Sequence, residues 1–346
     1  MIMIDKIALD KYLQNVLEQH KIAGMSVAVT DKDGIVYSNG FGVESVERPY
    51  LLSTPETLYK IASVSKVFNA VNIMCLLDEG LLELDVPVKV DLPELELSRA
   101  GSAEIVTLRH LLTHTAGLTA DIYKDGPRDE RYLGERVKQL FPKLEMFSMP
   151  GDGVFLYSNY GFVLASYLAE RVTGKRYSEQ VKEHIIKPLG MDRTFYDIHE
   201  WCTYPISLPH REETDGSFSV IHSITSEGTR FGSGEVFSNV LDLCKLMRMF
   251  LRGGVADNGQ RIVSKKSLEE MVAKQVDRKD GGWHGLGIHH RNYGNHACYG
   301  HTGWLSAYRT NMFVCPKTGY GVALMMNTNR DKIRDEMLAT IFDMVE

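Results

Sequence analysis

The chain has 346 residues, of which 44% are hydrophobic and 24% are charged, and its formal net charge is −6 at pH 7. This length indicates two packed subdomains, and the charge favours neither nucleic acid nor an anionic membrane as a partner. Five cysteines without Cys-x-x-Cys spacing indicate free thiols in a reducing compartment. Because Met1–Lys6 lacks the pattern of a signal peptide and no apolar run could cross a bilayer, we expect a cytoplasmic protein.

The N-terminal part of the chain shows helical periodicity and then strand-like runs. Apolar residues recur at helical spacing over Leu9–Leu17, which predicts an amphipathic helix. The runs Met25–Thr30 and Ile35–Ser38 flank an Asp-Gly pair and predict a hairpin. An extended run over Thr57–Ala62 then gives way to an apolar helical run that ends at Gly80.

The rest of the chain changes character twice. Residues from about 80 to 280 favour helices and loops, and Lys124–Arg131 is typical of a solvated loop. Three strands are predicted after it, followed by a closing helix from about Asp331: Leu286–His290, Ala307–Cys315 and Tyr320–Met326.

This order of elements indicates an α+β fold in which the two chain ends share one antiparallel sheet flanked by the terminal helices. We expect one unit over residues 1–346, with a sheet subdomain of residues 1–62 and 285–346. Residues 63–284 would then form a mostly helical subdomain.

One tetrapeptide, Ser63-Val64-Ser65-Lys66, lies where the extended run gives way to the helix, and it is the only Ser-x-x-Lys in the chain. One helical turn separates Ser63 from Lys66, so the amine can reach the hydroxyl. A serine hydroxyl becomes a good nucleophile when a base removes its proton, and a partly desolvated lysine can be that base. The alternative is that Ser63 only caps the helix, a frequent role of serine.

A second motif of interest, Tyr-x-Asn, occurs three times. Tyr37–Asn39 lies in a predicted strand before Ser63, and Tyr293–Asn295 lies in a turn rich in Gly and Asn. Only Tyr157-Ser158-Asn159 follows the Ser/Lys helix within the helical part of the chain. The alternative for Tyr157 is a core tyrosine with a satisfied hydroxyl.

The third motif has two candidates. Lys317-Thr318-Gly319 follows a proline between two predicted strands, which indicates a hairpin turn far from the nucleophile. His301-Thr302-Gly303 instead leads into the first of those strands, and Gly303 allows another chain segment to approach closely. We therefore favour His301–Gly303.

Taken in this order, Ser63…Lys66, Tyr157…Asn159 and His301…Gly303 resemble the motifs of the serine β-lactamase, DD-peptidase and esterase superfamily, most of all its class C-like branch. Leu111–Leu118, with the sequence LLTHTAGL, is also similar to that branch. The resemblance runs from about Met25 to Asn329. It implies a β-lactamase/DD-peptidase-like fold and acyl-enzyme chemistry.

The resemblance also implies roles for individual residues. Ser63 would attack the substrate, and Lys66 and Tyr157 would share the proton transfers, with the order of the two left open. Asn159 would orient a substrate carbonyl and steady Lys66. The backbone N–H groups of Ser63 and of Trp304 would stabilise the oxyanion.

The substrate-binding strand would contain His301, Thr302 and Gly303, and at the first of these positions many relatives carry lysine. An imidazole with an unperturbed pKa of about 6.5 is often neutral at pH 7, so it attracts a substrate carboxylate weakly. The sequence therefore predicts a serine hydrolase of small esters or amides, foremost a carboxylesterase. The alternatives are a D-amino-acid peptidase, carboxypeptidase or β-lactamase, or a non-catalytic binding protein on this scaffold. Two points are left open: whether the protein is a hydrolase or an acyltransferase, and its oligomeric state.

The histidines near the C-terminus raise the question of a metal site: His284, His289, His290, His296 and His301. Adjacent residues on a strand point to opposite faces, so His289 and His290 cannot share one ion. We therefore expect core or surface histidines, no metal and no cofactor. The chain also lacks a Gly-x-Ser-x-Gly motif, which disfavours an α/β-hydrolase mechanism.

Overall fold

The computed structural model describes residues 4–119, 130–222 and 231–345. The predicted loop Lys124–Arg131 lies outside the described residues except at its last two positions. The helices are α1 Lys6–Gln19, α2 Ser65–Asp78, α3 Leu108–Leu112, α4 Leu133–Leu140, α5 Asn159–Thr173, α6 Tyr177–Val181, α7 Ile198–Trp201, α8 Val240–Leu251, α9 Lys265–Val272 and α10 Asp331–Val345.

The strands are β1 Gly24–Thr30, β2 Ile35–Gly42, β3 Tyr59–Lys60, β4 His210–Glu212, β5 Phe218–Val220, β6 Phe237–Ser238, β7 Val276–Asp277, β8 Trp283–His284, β9 His289–Tyr293, β10 His296–Leu305, β11 Tyr308–Cys315 and β12 Tyr320–Met326. One eight-stranded sheet has the order β2-β1-β12-β11-β10-β9-β8-β7, and each neighbouring pair is antiparallel. The chain ends meet inside it, because β1 pairs with β12 from Met25↔Met326 to Thr30↔Gly321.

Both faces of the sheet are covered, which explains why β1, β11 and most of β12 are buried along their length. One apolar cluster lies between the sheet and the terminal helices, with Leu9 and Leu13 of α1 and Leu338 and Ile341 of α10 at its centre. A larger cluster on the other side contains α2, α5 and α8. The predicted α+β fold, an antiparallel sheet flanked by the terminal helices, is thus confirmed.

Two predicted features differ in detail from the structure. The predicted strand Leu286–His290 is a turn followed by the start of β9, and a further strand, β8, precedes it. Because β7 and β8 also belong to the sheet, the C-terminal group of its strands begins at Val276, before residue 285. The division into two subdomains remains a prediction. No helix among the described residues has the length and apolar character needed to cross a membrane.

Candidate active site

Ser63 lies in a short 3₁₀ turn, Ala62–Val64, that leads directly into α2. Ala62 has φ +50°, a conformation that non-glycine residues adopt only when the surroundings enforce it. The Val64 N–H donates to the Ile61 carbonyl at 3.2 Å and closes the turn. This geometry leaves Ser63 partly exposed while both of its neighbours are buried.

Lys66 is fully buried, and its amine lies within hydrogen-bond distance of Ser63, Asn159 and the Ser233 carbonyl. Nζ lies 3.1 Å from Ser63 Oγ, 2.7 Å from Asn159 Oδ1 and 2.8 Å from the Ser233 carbonyl oxygen. It also lies 4.9 Å from the centre of the Tyr157 ring. The structure therefore brings together the residues of the first two predicted motifs around one amine.

The segment around Ser233 was not identified from the sequence, because it contributes backbone atoms that have no side-chain signature. Its carbonyl accepts a hydrogen bond from Lys66. Three residues later, the Val236 carbonyl accepts from the Ile61 N–H at 2.9 Å, and the Val236 N–H donates to Ser65 Oγ at 3.2 Å. This segment thus holds both the serine turn and the start of α2.

The second motif lies at the start of α5. Asn159 is the first helical residue, which places its side chain toward Lys66. Ser158 fixes the preceding backbone, since its N–H donates to His114 Nδ1 at 3.0 Å and its hydroxyl donates to the Thr119 carbonyl at 2.8 Å.

His114, from the sequence LLTHTAGL, supports Tyr157. It has φ +61°, is almost fully buried, and its ring centre lies 4.3 Å from that of Tyr157. Since Nδ1 accepts from a backbone N–H, the proton of the neutral ring is on Nε2. Burial lowers the pKa of His114 well below its usual value, so the ring that supports Tyr157 is neutral.

The third motif lies on β10 beside the serine turn. A Cβ on Gly303 would come within 2.2 Å of the Ile61 carbonyl oxygen, so only glycine allows the strand to pass this closely. Gly303 pairs with Thr310, whereas Lys317–Gly319 lies beyond Cys315 at the other end of β11. Thr310 and Cys315 are five positions apart on β11, which corresponds to about 17 Å along the strand.

The side chain of His301 does not take the position expected of a substrate contact. It is fully buried behind the cleft, and Nδ1 donates to the Thr302 carbonyl at 2.5 Å. Burial, and then the charge of Lys66, lower the pKa of His301 well below its usual value. The ring that reaches the cleft is His289, a residue that the sequence motifs did not single out.

Residues from each of the three motifs line a cleft of about 310 Å³. Its described lining carries no Lys, Arg, Asp or Glu side chain and consists of Ala62, Ser63, Tyr157, Asn159, Ser233, Gly234, His289, Thr302 and Trp304. The indole of Trp304 is 68% exposed at the rim, with the Arg309 guanidinium 5.2 Å from its ring centre. The cleft therefore offers a hydroxyl and neutral polar groups, and the buried amine of Lys66 lies behind that hydroxyl.

Comparison with known proteins gives matches over nearly the whole chain. Protein flp of Staphylococcus aureus is 24% identical over 329 residues, which cover 94% of this chain and 64% of flp. The octameric penicillin-binding protein homologue from Pyrococcus abyssi is 28% identical, with a TM-score of 0.84 over 98% of this chain and 78% of that chain.

D-amino acid amidase from Ochrobactrum anthropi, complexed with L-phenylalanine amide, is 24% identical, with a TM-score of 0.80 over 97% of this chain and 99% of that chain. At that identity the likeness shows the fold alone. The beta-lactamase family model matches residues 9–345. The chain therefore belongs to the beta-lactamase family.

Proposed function

We propose that this protein is a serine carboxylesterase that hydrolyses small, uncharged esters through an acyl-enzyme on Ser63. The observation that carries the proposal is the cleft itself, where the Ser63 hydroxyl lies 3.1 Å from a buried amine and the described lining has no charged side chain facing a substrate. A nucleophile next to a desolvated base is the arrangement that acyl transfer through a covalent intermediate requires. A lining without charged side chains favours substrates without charge.

The Lys66 environment supports this amine as the base for Ser63. Two of its partners, the Asn159 amide oxygen and the Ser233 carbonyl, can only accept hydrogen bonds. A neutral amine has two N–H donors, which satisfy these two oxygens. Its lone pair then faces Ser63 Oγ, a partner that can donate a proton.

In the proposed reaction Ser63 Oγ attacks the ester carbonyl, and its proton passes to Lys66. The N–H groups of Ser63 and Trp304, two residues of the cleft lining, stabilise the oxyanion. The bond to the alkoxy group then breaks, and Tyr157 and Lys66 return the proton so that an alcohol leaves. Water attacks the acyl-enzyme by the reverse proton path, which releases a carboxylic acid and restores the Ser63 hydroxyl.

The alternative functions need a charge that the described lining does not supply. A β-lactam or peptidoglycan stem carries a carboxylate that calls for a cation, and a free D-amino acid amide carries an ammonium that calls for an anion. The amine of Lys66 already forms hydrogen bonds with Ser63, Asn159 and the Ser233 carbonyl. An amide hydrolase of neutral, N-blocked substrates uses the same chemistry and is the second candidate.

The experiment measures kcat/KM for three substrate classes at pH 7.5: p-nitrophenyl butyrate, a penicillin, and D-phenylalanine amide. We expect the ester to be preferred, and a fluorophosphonate adduct to map to Ser63 by mass spectrometry. Ser63→Ala should abolish both the turnover and the adduct. If the penicillin or the amide is turned over faster than the ester, the esterase assignment is wrong and the protein is a β-lactamase or an amidase, respectively.

The matched control for the nucleophile is Ser306→Ala. Ser306 lies in the turn after β10, outside the cleft lining, so this variant should keep the adduct and the turnover. An adduct on a serine other than Ser63, or full turnover by Ser63→Ala, would refute the assignment of the nucleophile.

A further inference from the structure

Three histidines from three neighbouring strands meet beneath the cleft. His284 ends β8, His289 begins β9, and His301 lies in the middle of β10. One ring nitrogen from each lies within 4.8 Å of the corresponding nitrogens of the other two. The sequence argument showed only that the adjacent residues His289 and His290 cannot share one ion. It did not consider the three histidines from different strands, which the pairing register brings together.

The nitrogens that face each other are buried and have no hydrogen-bond partner among the described residues. His284 Nδ1 donates to the Gly285 carbonyl at 2.6 Å and His301 Nδ1 donates to the Thr302 carbonyl at 2.5 Å, so both Nε2 atoms carry lone pairs. Both nitrogens of His289 also lack a described partner. A buried polar atom without a partner costs about 1–3 kcal/mol, so these atoms call for a ligand.

Imidazoles whose other nitrogen donates to a backbone carbonyl are typical of metal ligands, because that hydrogen bond fixes the tautomer and aims the lone pair. All three side chains are buried, which disfavours a charged imidazole, and a neutral imidazole is the state that binds a metal.

We propose that His284, His289 and His301 bind one divalent first-row transition metal ion, Zn²⁺ above all. Three neutral imidazoles without a thiolate or carboxylate match the set that zinc takes when its fourth position stays open. On tetrahedral zinc with Zn–N bonds of about 2.0–2.1 Å, ligand nitrogens are about 3.3 Å apart. Nitrogens that lie up to 4.8 Å apart must therefore close in by up to about 1.5 Å when the ion binds.

The ion would reach the site through the cleft. His289 belongs to the cleft lining, and its ring centre lies 6.3 Å from that of Tyr157, so the open coordination position borders the space where a substrate binds. The nearby charge of Arg278, which also acts on His284, opposes a dication. We therefore expect a dissociation constant on the order of micromolar rather than the much tighter binding of structural zinc sites.

The test is zinc titration of the full chain after dialysis against a chelator, followed by calorimetry and by measurement of zinc content after gel filtration. We expect one Zn²⁺ per chain, which Co²⁺ replaces with the strong visible absorption of a tetrahedral site. His289→Gln should lose more affinity than the tenfold to hundredfold typical of an outer-shell partner. His290→Gln is the matched control, because its side chain points to the other face of β9 and donates to the Val272 carbonyl.

Three results would overturn the proposal: no stoichiometric uptake by the wild type, equal uptake by His289→Gln, or loss of uptake only in His290→Gln. If His289→Gln does not fold, as judged by circular dichroism, X-ray absorption on the zinc-loaded wild type decides instead. Three imidazole ligands at about 2.0–2.1 Å support the site, and a shell without imidazole refutes it. These binding measurements do not depend on esterase activity.

Discussion

Replacing Gly303 by alanine tests the close contact between β10 and the serine turn. The new Cβ would lie 2.2 Å from the Ile61 carbonyl oxygen and 3.2 Å from Thr310 Cβ, whereas ordinary contact begins at 3.4 Å. The strand and the turn must therefore separate by about 1.2 Å, since neither contact partner is the flexible end of a side chain.

Ile61 lies two residues before Ser63, so the separation is transmitted to the nucleophile and to the oxyanion donors on both sides of the contact. A misplacement of about 1 Å can lower the rate by about a hundredfold, which corresponds to about 2.7 kcal/mol of transition-state stabilisation. The overpacking itself should destabilise the folded protein by about 1–3 kcal/mol.

The assay combines the rate of Ser63 acylation by a fluorophosphonate with kcat/KM for p-nitrophenyl butyrate, and urea unfolding measures the loss of stability. Gly319→Ala in the alternative Lys-Thr-Gly motif is the matched control. Gly319 has φ +75° and nothing within 4 Å of the built Cβ, so this variant should lose stability through its backbone but keep its rate. A folded Gly303→Ala protein within threefold of the wild-type rate would refute the reasoning.

Tyr157→Phe should lower kcat at least about a hundredfold, because it removes a proton carrier. Tyr293→Phe, which removes a buried hydroxyl outside the cleft, should keep kcat. Equal kcat values for the two variants would contradict the role of Tyr157. Burial raises the pKa of Glu170 to about 7 although the Tyr177 N–H donates to it. The stability that its raised pKa contributes is present below about pH 4.5 and lost as the pH rises through 7. Glu170→Gln should therefore raise the urea midpoint more at pH 8 than at pH 5, and a pH-independent difference would contradict that.

The local parts of the site could be predicted from the sequence. The spacing of Ser63 and Lys66 places them one turn apart, and their Nζ–Oγ distance of 3.1 Å follows from that spacing. The hairpins around Asp33-Gly34 and Pro316–Gly319 were predicted because turn chemistry is local. These features need only short stretches of chain.

Features that depend on tertiary pairing could not be predicted. The Ser233 carbonyl contacts Lys66 over 167 positions of sequence, and any residue type supplies a carbonyl. Likewise, the convergence of His284, His289 and His301 depends on the pairing register of three strands, which one-residue shifts would destroy. The short strand β8 also escaped prediction, because two residues carry no periodicity.

The pairing of β1 with β12 constrains how this chain folds during synthesis. Met25 pairs with Met326. One edge of β1, which is completely buried in the folded protein, therefore stays unpaired until β12 is synthesised about 300 residues later. At about 5–20 residues per second that interval is roughly 15–60 s. During it the apolar β1–β2 hairpin exposes an unpaired edge, the kind of surface that aggregates or binds chaperones. Expression yield should therefore depend on elongation speed and chaperone supply more than on the stability of the finished enzyme.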